Sequence, residues 1–197
     1  MTLQGELFAA APPIVPGLLL VPDAVTPAEE ADFAARIDAA PLRPFEFGQW
    51  RGKRLTTHYG SAYDFARGRI GEAPPLPGWL LGLRERLAPL AGMDPAALEA
   101  ALLIRYDPGA GIGWHRDRPL FEHVVGISLG NSATLRLRRR AGSKFQRATV
   151  PLAPRSIYHL AGEVRHDWEH SIAPMAVARW SITFRSLSEK GRAAIHR

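Results

Sequence analysis

Arg179-Trp180-Ser181-Ile182-Thr183-Phe184-Arg185 alternates between polar and apolar side chains without a break. Successive side chains of a strand point to opposite faces, so Trp180, Ile182 and Phe184 share one face. Arg179, Ser181, Thr183 and Arg185 share the other. The apolar face suits a core. The polar face would aim two guanidiniums at an interior, where charge is costly unless an anion pairs it. A dicarboxylate meets that need, because a guanidinium grips a carboxylate through two parallel hydrogen bonds. Read instead as an edge strand, the same arginines are ordinary surface charges.

Upstream of this run the chain repeats short β-type segments at 101–106, 124–129, 133–137, 148–152, 156–160 and 170–172. Turn signals separate them: Asp107-Pro108-Gly109, Gly130-Asn131, Ala141-Gly142, Pro154 and Ala161-Gly162. Several short strands at close spacing predict an antiparallel sandwich or barrel. The first half reads differently. Thr26-Pro27-Ala28-Glu29 has the residues of a capping box with proline in the first turn, and Phe33 and Ile37 continue a helix to about Ala40. Residues 45–65 hold Phe45, Phe47, Trp50, Tyr59, Tyr63 and Phe65 between glycines, the composition of strands and aromatic loops. Trp79, Leu80, Leu83, Leu87 and Leu90 fall at helical spacing up to Gly92, with Pro89 in the last turn. The expected fold is therefore α+β, a jelly-roll core from about residue 100 to 186 with N-terminal helices packed on it. It forms one domain over 1–197, with residues 1–25 as an irregular arm.

Composition narrows the chemistry. The chain has 197 residues, 46% of them hydrophobic and 22% charged, the balance of a globular protein. It has no cysteine, which excludes disulfide scaffolds, iron–sulfur clusters and cysteine nucleophiles. The apolar stretch from Ile14 to Val21 is interrupted by Pro16 and falls far short of the ~20 residues that span a bilayer. No basic segment precedes it, so no signal peptide and no membrane partner are expected, and the expected location is cytoplasmic. Lysine plus arginine number 25 against 19 for aspartate plus glutamate, a net charge of +6 that suits a polyanionic partner such as nucleic acid.

The sharpest local signal is Gly113-Trp114-His115-Arg116-Asp117. If this segment is extended, His115 and Asp117 point to one face and supply two legs of a metal site. Alone, the pair also fits a solvated surface. A third leg must come from elsewhere, and His123, His159, His166 and His170 are the candidates. Two histidines, an aspartate and the arginine-bearing strand together fit the facial triad of an iron(II) oxygenase.

At this point the sequence resembles a known family. The run Ile104-Arg105-Tyr106-Asp107-Pro108-Gly109-Ala110-Gly111-Ile112-Gly113-Trp114-His115-Arg116-Asp117 is similar to the AlkB family of 2-oxoglutarate- and iron(II)-dependent dioxygenases. So are Val125-Gly126-Ile127-Ser128-Leu129-Gly130, Trp168-Glu169-His170-Ser171-Ile172 and the strand from Arg179 to Arg185. The resemblance implies a double-stranded β-helix. It implies Fe(II) on His115, Asp117 and His170, with 2-oxoglutarate and O2 as co-substrates. Arg179 would pair with the distal carboxylate of 2-oxoglutarate, with Tyr106 and Ser181 nearby, and Arg185 would lie near the chelating carboxylate. The sequence departs from the family at Ile104, usually an asparagine supporting the co-substrate, and at Pro119, an acid in the best-known DNA-repair member.

The implied activity is oxidative demethylation or hydroxylation of N-alkylated nucleobases in DNA or RNA by a monomer. The same metal site also fits a hydroxylase of proteins or small molecules, and the same fold a silent nucleic-acid-binding module. Tyr59, Tyr63 and Phe65, within a candidate nucleotide-recognition lid at about 45–72 that also carries Lys53, Arg54, His58, Arg67 and Arg69, are candidates to stack a flipped base, and a packed sheet edge is the competing account. Arg138, Arg139 and Arg140, with Arg136, Lys144 and Arg147 across the Gly142 turn, form the densest positive cluster and are candidates to contact phosphates. A solvated arginine-rich turn is the competing account of that cluster.

Overall fold

Two antiparallel sheets face each other, and the period-two alternation of their strands decides which side chains enter the space between them. The computed structural model describes residues 14–47, 50–64 and 69–195. The N-terminal elements are β1 (Leu18–Val21), α1 (Pro27–Asp38), β2 (Arg43–Phe47), β3 (Trp50–Tyr59), β4 (Ser61–Asp64), β5 (Arg69–Glu72) and α2 (Gly78–Leu90). Then come β6 (Ala100–Tyr106), β7 (Ile112–His115), β8 (Phe121–Leu129), β9 (Ala133–Ala141), β10 (Lys144–Leu152) and β11 (Ile157–Leu160). The chain continues through α3 (Gly162–His166), β12 (Glu169–Ile172), β13 (Arg179–Leu187) and α4 (Glu189–Ile195). The large sheet runs β1-β11-β8-β13-β6-β3-β2 and the small one β10-β9-β12-β7, the expected jelly roll, while β4 and β5 form a separate ribbon.

The central strand of the large sheet is β13, hydrogen-bonded to β6 on one side and β8 on the other. Its apolar face behaves as its sequence dictates. Ile182 and Phe184 are fully buried with Val125, Ile127 and Leu129 beneath Phe33 and Ile37 of α1 and Leu80, Leu83 and Leu87 of α2. Truncating a buried aromatic such as Phe184 to alanine costs about 3–5 kcal/mol. A second apolar layer lies between the sheets, where Leu102, Ile104, Val124 and Leu160 meet Leu135, Leu137, Val150 and Ile172. That layer does not fill the whole gap. The remainder is a cavity.

The start of α1 follows its capping signal. The Thr26 side chain accepts from the Glu29 N–H, and the Glu29 carboxylate accepts from the Thr26 N–H. Other stretches differ from expectation. Residues 18–21, read as part of an irregular arm, form an edge strand paired with β11; residues 1–13 lie outside the described residues. The turn expected after β11 contains the single-turn helix α3, too short to leave a periodic signature. Among the described residues no helix is long and apolar enough to cross a membrane.

Candidate metal centre and its pocket

His115 and His170 sit directly opposite each other in the β7–β12 pair, with ring centroids 4.2 Å apart. Asp117 joins them from just beyond the end of β7, its Oδ1 3.9 Å from His115 Nε2. One ligand atom from each of the three lies within 4.8 Å of the others, a donor set that can hold a divalent metal. None of His123, His159 and His166 belongs to it. His123 and His159 hydrogen-bond each other at 3.1 Å, and His166 pairs with Glu122 at 2.9 Å. The reason Asp117 faces the histidines differs from the one read in the sequence. The strand stops at His115, and the loop after it brings the carboxylate round.

The second contacts of the triad suit ligation. The Gly113 carbonyl lies 2.9 Å from His115 Nδ1 and can only accept, so Nδ1 carries the proton and Nε2 keeps its lone pair toward Asp117. Burial lowers the His115 and His170 pKa values, His170 down to about 3, so both imidazoles are neutral and able to donate a lone pair. Burial alone would raise the Asp117 carboxyl. Arg185 foremost, then His170, His115 and Arg165, hold it well below the usual carboxylate range. Asp117 is therefore an anion throughout the working pH range.

The triad opens onto a cavity of about 490 Å³ between the sheets, the size of a small-molecule site. Behind the cavity, Arg179 is fully buried, its guanidinium 5.2 Å from the Tyr106 ring and its Nε donating to Ser128 Oγ at 3.1 Å. Both terminal nitrogens of Arg179 are buried and lack a partner. A buried charged donor pair with no acceptor is an incomplete site, and a carboxylate completes it in the fork geometry. Ser181 lies beside it, donating to the Ile127 carbonyl at 3.0 Å and hydrogen-bonded to Tyr158. Arg185 lines the cavity nearer the triad, 3.9 Å from Asp117. The residues present thus fit both a divalent metal and a dicarboxylate.

Sequence reasoning singled out neither Tyr158 nor Thr183 as a pocket residue. Tyr158 crosses β8 at Gly126, where a Cβ would come within 2.1 Å of its ring, so the glycine makes room for it. Thr183 carries a buried hydroxyl without a partner on the same strand face as Arg179 and Arg185. That face was legible, though Thr183 was not singled out as a site residue. Arg54 and His58, expected among the cations and aromatics of the lid, do reach the cavity from β3.

The expected stacking residues divide. Tyr63 lines the cavity mouth under the Arg118 guanidinium, 4.9 Å from its ring. Tyr59 is on the opposite face of β3 and packs with the helix-side core, so it does not reach the pocket. Phe65 lies outside the described residues.

The arginine cluster also divides, because neighbours on β9 point to opposite faces. Arg139 turns to Glu163 at 2.8 Å and lies over Trp168. Arg138 pairs with Glu169 at 2.6 Å and lies 4.4 Å from the Trp114 ring and 4.7 Å from the Phe145 ring. Arg136 shares Trp114, while Arg140 and Arg147 share Phe145. The three arginines read as one patch are therefore two structures. One is an ion pair under the sheet, and the other an arginine–aromatic ladder on its outer face that ends at Trp114, beside His115.

Comparison with known proteins gives a consistent family. The model of the 2OG-Fe(II) oxygenase superfamily matches residues 20–192. An Arabidopsis thaliana protein described as an alkylated DNA repair protein, ALKBH8 homolog, is 30% identical over 189 residues, covering 80% of this chain and 51% of its own. A Xenopus tropicalis tRNA (carboxymethyluridine(34)-5-O)-methyltransferase, alkbh8, is 30% identical over 171 residues, covering 83% of this chain and 26% of its own. The chain thus spans about half the length of the first relative and about a quarter of the second. The solved structure of OsALKBH1 superposes with a TM-score of 0.66 at 17% identity, over 87% of this chain and 97% of that one, a likeness of fold.

Proposed function

Since the chain belongs to the 2OG-Fe(II) oxygenase superfamily, in its AlkB branch, we propose that it uses Fe(II), 2-oxoglutarate and O2 to demethylate or hydroxylate N-alkylated nucleobases in DNA or RNA. The observation that carries the reading is the pairing of an unpartnered buried guanidinium, Arg179, against the cavity's Tyr106, with the His115, Asp117 and His170 cluster that lines the same cavity. His115, Asp117 and His170 would hold the iron. Arg179 would take the distal carboxylate of 2-oxoglutarate, with Tyr106 and Ser181 beside it, and Arg185 would stand near the other end. When bound, the metal and keto-acid supply the oxidising power for an unreactive C–H bond.

The protein's own part is positioning and exclusion. Asp117 supplies one fixed negative charge to a divalent ion, and Arg185 and Arg165 keep it ionised. Leu102, Ile104, Leu135 and Ile172 give the cavity an apolar wall, and charge interactions beside such a wall are stronger than in water. Ile104 offers no side-chain hydrogen bond, and Thr183, with its unpartnered hydroxyl on the neighbouring strand β13, is the polar group available in its place. Tyr63 and Arg118 at the mouth suit a base turned out of its stack. On the outer face of the small sheet, Arg136, Arg140 and Arg147 suit backbone phosphates, with Arg138 tied to Glu169 between them.

The test is formaldehyde release from methylated oligonucleotides supplied with Fe(II) and 2-oxoglutarate, read beside the mass of the product strand. Formaldehyde in proportion to strand mass loss, absent in His170→Ala, supports the reading. Consumption of 2-oxoglutarate with no change in any methylated strand would move the substrate outside nucleic acid.

A further inference from the structure

The cavity carries an imbalance of charge that its residues do not resolve. Among the described residues lining it, Asp117 is the one carboxylate. Four arginines among these residues line it with Asp117: Arg116 and Arg118 are exposed to solvent, which screens them, while Arg54 and Arg185 are in the cavity wall, with Arg179 behind. Arg54 is 8% exposed, lies over the Phe45 ring at 4.2 Å and hydrogen-bonds Tyr106. Its position follows from β3, where Arg54, Thr56 and His58 share the face that Leu55 and Tyr59 turn away from. The positive field also bears on His58, whose imidazole goes down to about 4 through burial first, then Arg185 and Arg54.

Loading the site does not cancel this field. A divalent metal and a dicarboxylate add +2 and −2, so even leaving the solvent-screened Arg116 and Arg118 aside, three guanidiniums still face one carboxylate. Arg179 and Arg185 are then occupied, and among the described residues lining the cavity Arg54 is the buried cation left to bear on an entering base, while Arg118 and Arg116 are exposed to solvent. A buried guanidinium offers donors to carbonyl oxygens and opposes a second positive charge.

We propose that Arg54 sets substrate choice, so that the pocket takes an alkylated base that is neutral or anionic and presents carbonyl acceptors, as in methylated uracil, and rejects bases made cationic by alkylation. The proposal rests on the nucleic-acid reading above and goes further by naming the class of base. A unit charge about 8 Å from one guanidinium, at an effective dielectric near 20, changes affinity by roughly 30-fold.

The experiment compares two single strands identical except for one residue, N3-methyluracil, which is neutral, or N3-methylcytosine, which is nearly the same shape but cationic. Binding is measured by fluorescence anisotropy with Mn(II) and 2-oxoglutarate present, so that no turnover intervenes. The wild-type chain should favour N3-methyluracil by at least ~10-fold. Arg54→Gln should bring the two affinities close together, and Arg54→Lys, which keeps the charge, should preserve much of the preference. Because both strands meet the same loaded site, any loss of co-substrate affinity in a variant cancels in the ratio. Binding of both strands with the cationic base preferred, or a ratio unmoved by Arg54→Gln, overturns this proposal and leaves the nucleic-acid reading standing. Binding of neither strand overturns both.

Discussion

The Arg165 guanidinium holds the main chain at Asp117, donating to its carbonyl at 3.3 Å, to that of Arg118 at 2.7 Å and to that of Phe121 at 2.5 Å. Arg165 is 3% exposed and comes from the single-turn helix between β11 and β12. The loop that carries one metal-ligand candidate is thus fixed by the segment that leads into another, His170. Each such bond from a charged donor contributes on the order of 1.5–3 kcal/mol. Arg165→Met should destabilise the fold by about 3 kcal/mol or more and weaken Mn(II) binding. Thermal unfolding and a metal titration read the two effects separately. A variant that melts lower but binds Mn(II) as tightly as wild type would show that the Asp117 loop keeps its place unaided.

Arg179→Lys keeps the charge and loses the fork, so 2-oxoglutarate affinity should fall with the fold intact. Arg179→Ala should be worse, since removing one partner of a buried charge pair costs on the order of 3–5 kcal/mol. The check is a 2-oxoglutarate titration in the presence of Mn(II). An unchanged affinity in both variants would mean that the buried guanidinium serves the fold alone.

The split of the arginine cluster has its own consequence. Replacing Arg140 and Arg147 with glutamine should flatten the dependence of oligonucleotide affinity on salt, by about 0.7–0.9 in log–log slope for each phosphate no longer neutralised. Arg139→Gln should leave that slope unchanged and lower the melting temperature, because it breaks the ion pair with Glu163. If Arg139→Gln alone flattens the slope, the outer face of the small sheet is not the phosphate track.

Acid should weaken the metal-free protein in a defined window. His58 is half-buried and His159 buried, each lowered from 6.5 to about 4, His58 by burial first and then Arg185 and Arg54, His159 by burial first and His123 after it. The folded state binds protons less readily than the unfolded one, so their contribution is fully present above 6.5 and is lost as pH falls toward 4. The melting temperature should be flat above that window and drop within it, with a shallower drop in His159→Asn. A profile flat from 6.5 to 4 would contradict this account of the two histidines.

What the sequence made legible follows from where each residue's constraint comes from. The strand from Arg179 to Arg185 was readable because it is central, with one face under the helices and the other in the cavity, so burial enforces strict alternation. His115 and His170 were readable from strand spacing and resemblance. Asp117 was right for another reason, since its placement depends on Arg165, a long-range contact with no local signature. Tyr59 misled because aromatic content marks a strand without saying which face is inward. Arg138 and Arg139 misled because Glu169 and Glu163, far along the chain, pair with them only once the sheet forms. Arg54 was legible only as one cation of the lid, and Tyr158 not at all, because their meeting with Tyr106 and Arg179 is a product of tertiary packing.

The most direct measurement is an anaerobic calorimetric titration of Fe(II), with 2-oxoglutarate added afterwards, on the wild-type chain and on Asp117→Ala and His170→Ala. The account expects one ferrous ion per wild-type chain, 2-oxoglutarate binding that depends on that ion, and loss of both in each variant while the far-ultraviolet circular dichroism is unchanged. Wild-type stoichiometry and affinity retained in either variant would contradict the assignment of His115, Asp117 and His170 as the metal centre.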